Sequence, residues 1–321
     1  FLPDFVSELV PFHHENGLRY DLVHSHYWLS GVVGEKLKAV WGVPHVTTFH
    51  TLARLKEEAL GTVVESPLRS TIEAGVISAA DMIITFTEDE KERITRLYGA
   101  QAERIRVVPC GVNTQLFRPM NRDEARKALG LSPEDKDILL FVGRMEPLKG
   151  LDLLLHMVRC LGHREGLRLL IVGGDWQSTE EIARLRRLAF ELGIYERVTL
   201  WGAVEQERLP LFYAAASVCI VPSYYESFGL VAMEALASGT PVVASCTGGV
   251  RDILENGWNG YLIPSRDPWL FARYVESILD HAELGQRMGQ AGRASAQQYS
   301  WSQVAEGVLS GYQEVLQGFR S

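Results

Sequence analysis

Short apolar runs rich in Val and Ile alternate along the chain with longer stretches of helical period, the pattern of a parallel sheet covered by helices on both faces. In the first part, strands are expected at 21–26 (DLVHSH), 45–50 (HVTTFH), 82–87 (MIITFT) and 105–110 (IRVVPC), with helices near 29–41, 54–79 and 88–98. Pro67 should interrupt the second of these helices. A polar stretch at 113–137 with two prolines and a short helix reads as a connection between domains. A second strand series follows at 138–143, 167–174, 198–202, 217–222, 241–245 and 260–264. Two such series imply an α/β fold of two doubly wound, Rossmann-like domains with a cleft between them. The first domain is expected over 1–118 and the second over 119–298. The first series has four strands and opens on a helix-like segment rather than a strand, so that domain is expected to lack its N-terminal beginning.

Composition narrows the classes of partner. The 321 residues, 46% apolar and 22% charged, suffice for two cores, and the formal charge of −8 gives no general attraction to nucleic acid or anionic lipid. Cys110, Cys160, Cys219 and Cys246 lie far apart without metal-ligand spacing, and read as buried thiols of a reducing compartment. No apolar run approaches the ~18 residues of a membrane span. The opening residues do not carry the pattern of a signal peptide, so the expected location is cytoplasmic.

Candidate chemistry gathers at the carboxyl ends of strands, where ligands of open α/β sheets sit. The loop GRMEPLKG (143–150) offers Arg144 and Lys149 between glycines; two cations on a short loop suit a diphosphate, though a solvated loop with incidental charges explains them as well. It matches neither the Walker A nor the GxGxxG pattern. The stretch YYESFGLVAMEALASGTPVV (224–243) places Glu226 in a loop and Glu234 inside a helix starting near Phe228 or Gly229. A helix start there presents unpaired N–H groups to a phosphate, and glycine permits close approach. Carboxylates on either side can each hold neighbouring hydroxyls, which describes a nucleoside diphosphate sugar. Glu226 as a helix cap and Glu234 as a surface residue would explain either one singly. A glutamate inside LVAMEALA is harder to explain so, because an unpaired buried carboxylate is costly.

These segments together, with WGAVEQERLPLFYAAASVCIVPS, ASGTPVVAS, TGGVRDIL and ENGWNGYLIP, resemble the retaining glycosyltransferases of the GT-B fold, family four, over essentially the whole chain. ESFGLVAME resembles that family's pair of glutamates eight positions apart, and GRMEPLKG its donor loop. The resemblance implies that Arg144 and Lys149 neutralise the donor diphosphate, Glu234 holds the ribose hydroxyls and Glu226 contacts the transferred sugar. Main chain at Phe228, Gly229 and Leu230 would line sugar and phosphate, and the backbone near Val204 would hold the base. The subgroup most resembled acts on inositol phosphate, with sucrose-phosphate synthases nearby. By that likeness His50 lies beside the reacting sugar while Tyr27, Thr51 and Arg69 grip an acceptor phosphate, although a helical Arg at position 69 is ordinarily a surface residue. His24, His26 and His50 could form a metal site, but the family characteristically needs no metal, and rings at alternate strand positions share a face for packing reasons too. The segment 299–321 should form a helix returning to the first domain.

The implied reaction transfers a hexosyl or N-acetylhexosaminyl unit from an NDP-sugar, expected to be UDP-linked, to a phosphorylated polyol or sugar. It needs no further cofactor, and the departing phosphate serves as base, giving retention. The alternatives are an epimerase of the same architecture and a nucleotide-sugar-binding remnant without turnover. The first domain shows no basic amphipathic helix of the kind that docks on membranes. Oligomeric state is not legible.

Overall fold

A computed structural model of the chain describes residues 2–174 and 179–320. Contacts divide it into two compact units, Phe1–Cys110 with Ser302–Ser321, and Gly111–Trp301.

In the first unit the order is α1 (Leu2–Glu15), β1 (Val23–His26), α2 (Tyr27–Trp41), β2 (His45–Thr48), α3 (Ala53–Leu60), α4 (Pro67–Ala79), β3 (Met82–Thr85), α5 (Glu88–Tyr98) and β4 (Ile105–Val107). The strands form a parallel sheet in the order β1-β2-β3-β4. β2 and β3 are buried along their whole length, as strands covered on both faces should be, although β2 buries His45, Thr47 and Thr48 beside Val46. The helix expected over 54–79 is interrupted as Pro67 implied, and Pro67 itself starts the second piece. α3 ends at Gly61 in the left-handed conformation, and Ser66 caps α4 by accepting from Leu68 N, with Pro67 in the first turn where its missing N–H is no loss.

The second unit runs α6 (Arg122–Ala128), β5 (Asp137–Val142), α7 (Leu151–Cys160), β6 (Leu167–Val172), α8 (Thr179–Glu191), β7 (Val198–Gly202), α9 (Leu209–Ala215), β8 (Val218–Val221), α10 (Leu230–Ala237), β9 (Val242–Ser245), α11 (Val250–Ile253), β10 (Gly260–Ile263), α12 (Pro268–Leu279) and α13 (Ala282–Ala296). Its parallel sheet has the order β10-β9-β8-β5-β6-β7, so the chain winds outward from β5 in one direction and from β8 in the other. Leu139, Phe141, Leu169, Ile171, Val218 and Ile220 belong to a core in which Leu154 of α7 and Phe271 of α12 also take part.

The segment 113–137, expected to be a connection, is part of this second unit. α6 packs on α9, and Arg126 Nε donates to the Ala215 carbonyl at 3.0 Å, which ties the segment down.

The last helix, α14 (Trp301–Arg320), belongs almost entirely to the first unit. Its Val304, Val308, Tyr312 and Val315 pack with Val46, Met82, Ile84 and Val108. The chain thus contains two parallel-sheet α/β units; the second is doubly wound, whereas the four strands of the first follow one another in sequence order. All four cysteines are free thiols; Cys219 alone is buried and the others are half-buried, not buried as expected.

Candidate functional site

In the second unit β5 and β8 lie side by side where the winding direction reverses, and such a switch point leaves a crevice at the carboxyl ends of the strands. The loops that leave these two strands are bonded together there. Tyr224 N donates to Leu148 O at 2.8 Å, and Arg266 donates to the carbonyls of Pro222 and Ser223 while its guanidinium stacks 3.4 Å from the Tyr224 ring centroid. Gly150 has φ +71°, and a β-carbon there would sit 2.1 Å from Pro222 O. Gly150→Ala should therefore lower stability by about 2–3 kcal/mol, read from the urea midpoint. A midpoint within error of the wild type would show that the two loops can separate freely.

This contact brings together two residues distant in sequence. Lys149 Nζ lies 2.7 Å from Glu226 Oε1, which also accepts from Ser223 Oγ at 2.7 Å. Both partners are mostly shielded from water. Arg144 behaves differently: its side chain is 67% exposed and pairs with Glu146 at 2.7 Å. Its loop, with Val204 and the Gly173–Gly174 backbone, lines a cavity of about 860 Å³, ample for a nucleotide.

Gly229 is left-handed at φ +100°, and α10 begins one residue beyond it with no side chain capping its amino end. The need for glycine comes from the protein as much as from any ligand, because a β-carbon would lie 2.8 Å from Val250 Cγ2. Phe228 is buried with its ring 5.8 Å from that of Tyr299, whereas Leu230 is exposed.

Glu234 is half-buried in α10 and accepts from the hydroxyl of Tyr213, itself wholly buried, at 2.7 Å. Burial pushes the Glu234 carboxyl up to about 7, against the opposing effect of the Tyr213 bond. Tyr213 was not anticipated from the sequence; the only signal was a phenol inside the otherwise apolar LPLFYAAA.

The first unit gathers a second set. Tyr27 and His50 are the two non-glycine residues with positive φ among those described, at +74° and +62°. Tyr27 follows β1 directly and His50 lies two residues beyond the end of β2, and such backbone strain concentrates at functional sites. His26 Nδ1 and His50 Nε2 are 2.9 Å apart, and the His50 ring stands 5.4 Å from Phe86. His24 spends its two nitrogens on Tyr312 of α14 at 2.7 Å and Thr48 at 3.0 Å.

Burial, with the neighbouring histidines adding to it, lowers His24 to about 4, and burial also lowers His26 and His50. All three are thus neutral at physiological pH. Among the described residues no group of three or more His, Cys, Asp or Glu side chains is arranged to hold a metal ion.

Arg69 is not the surface residue expected of a helical arginine: it is 5% exposed, because acceptors surround it. Nη2 donates to both the carbonyl and the hydroxyl of Thr51 at 3.1 Å, Nε to Glu73 at 2.7 Å, and the guanidinium lies 5.2 Å from the Tyr27 ring centroid. Tyr27, Thr51 and Arg69 are therefore one cluster. Glu73, completely buried, is the member that sequence reasoning missed; its spacing of four from Arg69 on one helix was the available signal.

The family signature described as "Glycosyl transferases group 1" matches residues 121–295, and that described as "Glycosyltransferase Family 4" matches residues 1–116. The chain belongs to the group 1 glycosyl transferases. It is 44% identical over 305 residues to a D-inositol 3-phosphate glycosyltransferase of Acidothermus cellulolyticus, covering 92% of this chain and 68% of the relative. The sucrose-phosphate synthase of Thermosynechococcus elongatus is 34% identical with a TM-score of 0.87 over 99% of this chain and 78% of that one. Anabaena HepE, solved with UDP and glucose, has a TM-score of 0.84 over 96% of this chain and 81% of that one; at 20% identity it bears on the fold alone. This group 1 glycosyl transferase has the GT-B type of fold, an enzyme architecture for glycosyl transfer. Among its described residues no helix is long and apolar enough to cross a membrane.

Proposed function

We propose that this enzyme moves a hexosyl or N-acetylhexosaminyl unit from an NDP-sugar, UDP-linked, to a phosphorylated polyol or sugar, with retention at the anomeric carbon. The observation that carries the donor half is the Lys149–Glu226 contact at the sheet's switch point, beside the uncapped start of α10. An acid that holds a sugar hydroxyl and a cation that holds a phosphate are here a single pair, as a bond between sugar and phosphate requires. Val204 and the loop of Arg144 border a cavity of nucleotide size, and Glu234 offers a carboxylate oxygen beyond the one Tyr213 engages. The relatives named for inositol phosphate transfer and sucrose-phosphate synthesis support a phosphorylated acceptor. So does the Tyr27, Thr51 and Arg69 cluster.

The chemistry is electrostatic. Negative charge grows on the departing phosphate, and Arg144, Lys149 and the amino end of α10 stabilise it. The acceptor hydroxyl attacks from the face the leaving group vacates and gives its proton to a phosphate oxygen. Glu226 positions the sugar, and His50 faces the reacting hydroxyls as a neutral hydrogen-bonding group. The protein's own cations carry the leaving-group charge, so activity should persist in EDTA. Turnover with UDP-, GDP- and ADP-sugars against D-inositol 3-phosphate and other sugar phosphates, with NMR of the product anomer, tests the whole reading. UDP binding without transfer to any phosphorylated acceptor would reduce the protein to a nucleotide-sugar binder.

Two further outcomes are expected. Arg144→Ala should lower kcat more than it raises the Kd for UDP, because an exposed guanidinium matters most when charge develops; equal effects would make Arg144 a ground-state ligand.

UDP affinity should also depend on pH through Glu234. Below about 7 the carboxyl is protonated in the free enzyme, and the ribose hydroxyls need the charged form. Affinity should fall as pH drops through that value and level off above it. The ligand's own phosphate titrates equally in Glu234→Gln, so the difference between the two pH profiles isolates Glu234. Parallel profiles would remove it from the nucleotide site.

A further inference from the structure

The acceptor cluster leaves one thing unexplained: the guanidinium assigned to a phosphate is already held by two carboxylates, and the two differ in kind. Glu73 is completely buried and takes bonds from Arg69 Nε at 2.7 Å, from Ala53 N at 3.0 Å and from the Tyr98 hydroxyl. Groups from α3, α4 and α5 converge on it, so it is a fixed part of the fold.

Glu65 stands in the connection between α3 and α4, and its side chain is 24% exposed. Through Oε1 it accepts from Arg69 Nη1 at 2.7 Å and from Lys56 Nζ at 2.9 Å. Among the described residues these two cations are its hydrogen-bond partners. The adjoining Val63 and Val64 are solvent-exposed, so nothing apolar anchors the connection there.

We propose that Glu65 is a resident stand-in for the acceptor's phosphate: Lys56 and Arg69 form the phosphate-binding pair, and an entering phosphate displaces the Glu65 carboxylate from them. The inference rests on the assignment of Tyr27, Thr51 and Arg69 to the acceptor, and it adds Lys56 as a ligand and Glu65 as a selectivity element. With Glu65 swung away, Lys56, Arg69 and Glu73 leave one positive charge at the protein surface, bordered by the Thr51 hydroxyl and the Tyr27 ring.

A carboxylate spreads one charge over two oxygens, whereas a phosphate ester brings up to two charges and three acceptor oxygens. A phosphate can therefore take both cations from Glu65, and a neutral polyol cannot. Partial burial alone would raise the Glu65 carboxyl, but the bonds and charges of Lys56 and Arg69 outweigh it and hold it below the usual carboxylate value. Glu65 thus remains an anion at neutral pH.

The test is a 31P NMR titration of the full chain with inorganic phosphate, the nucleotide site being saturated with UDP so that Arg144 and Lys149 are occupied. Glu65→Gln should bind phosphate about 5- to 10-fold more tightly than the wild type, and Lys56→Gln about 10-fold more weakly. Unchanged or weaker binding in Glu65→Gln, while Arg69→Lys still loses phosphate, would overturn the displacement and leave the acceptor assignment standing. Phosphate affinity insensitive to Arg69→Lys as well would sink the assignment itself. Both Glu65 and Lys56 lie near the surface, so neither substitution removes a core contact.

Discussion

Lys149→Ala is expected to lower kcat by roughly 100- to 1000-fold while changing the Kd for UDP by less than about tenfold. Lys149 is the cation closest to the expected scissile bond, because its ammonium sits 2.7 Å from the carboxylate assigned to the transferred sugar. A fixed positive charge in a shielded place is worth most where negative charge develops, and less where a diphosphate is already well solvated. Among the described residues the substitution also leaves Glu226 with Ser223 as its hydrogen-bond donor, so the acid proposed to hold the sugar is expected to lose its fixed position as well. Lys149→Arg should recover only part of the rate, because a planar guanidinium cannot reproduce the position of a compact ammonium 2.7 Å from Glu226 in a mostly shielded place. Thermal melting of each variant separates catalysis from folding. Turnover of a folded Lys149→Ala protein within tenfold of the wild type would refute the role.

The second large effect is on stability. Glu73→Ala is expected to cost about 3–5 kcal/mol in the first unit, because it removes the fully buried one of the two carboxylates that hold the Arg69 guanidinium. The same change deprives the Ala53 amide and the Tyr98 hydroxyl of their acceptor. Hydrogen exchange at the Ala53 amide reads the local effect, and urea unfolding followed by signals of the first unit reads the global one. Glu73→Gln should lose less, since an amide oxygen still accepts two of the bonds, but it leaves the arginine with the partly exposed Glu65 as its counter-charge. Exchange at Ala53 as slow in Glu73→Ala as in the wild type would mean that Arg69 finds another partner, and the cluster would not be the rigid base assumed for the acceptor.

Much of this was visible in the chain itself. Among the described residues each strand falls where one was expected, because most parallel strands covered on both faces have a hydrophobic signature that needs no partner to be recognised. The spacing of Arg144 and Lys149 on one loop, and of Glu226 and Glu234 around a helix start, was equally legible. What could not be read was which side chain each of them touches. Lys149 meets Glu226 across 77 positions, and Arg144 turns to Glu146 instead. Glu234 has a buried phenol from a different helix as its neighbour. Arg69 looked like a surface residue because helical arginines commonly are; the spacing of four to Glu73 was a local signal, but nothing local revealed the Thr51 acceptors. The interruption at Pro67 was legible, but not that the break lies at Gly61 and that Ser66 and Pro67 open the next helix.

The sequence by itself determined two wound parallel sheets, the family, and the residue types that can bind phosphate and hydroxyl groups, because periodicity, glycine placement and short loop motifs are local properties of the backbone. Tertiary structure alone decided the partnerships: that Lys149 and Glu226 act as a pair, that Tyr213 holds Glu234, and that Glu65 covers two cations above a buried Glu73. Hydrogen bonds and ion pairs depend on separations of about 3 Å between side chains. Such separations are fixed by packing among elements far apart along the chain, and one-dimensional spacing carries no record of them.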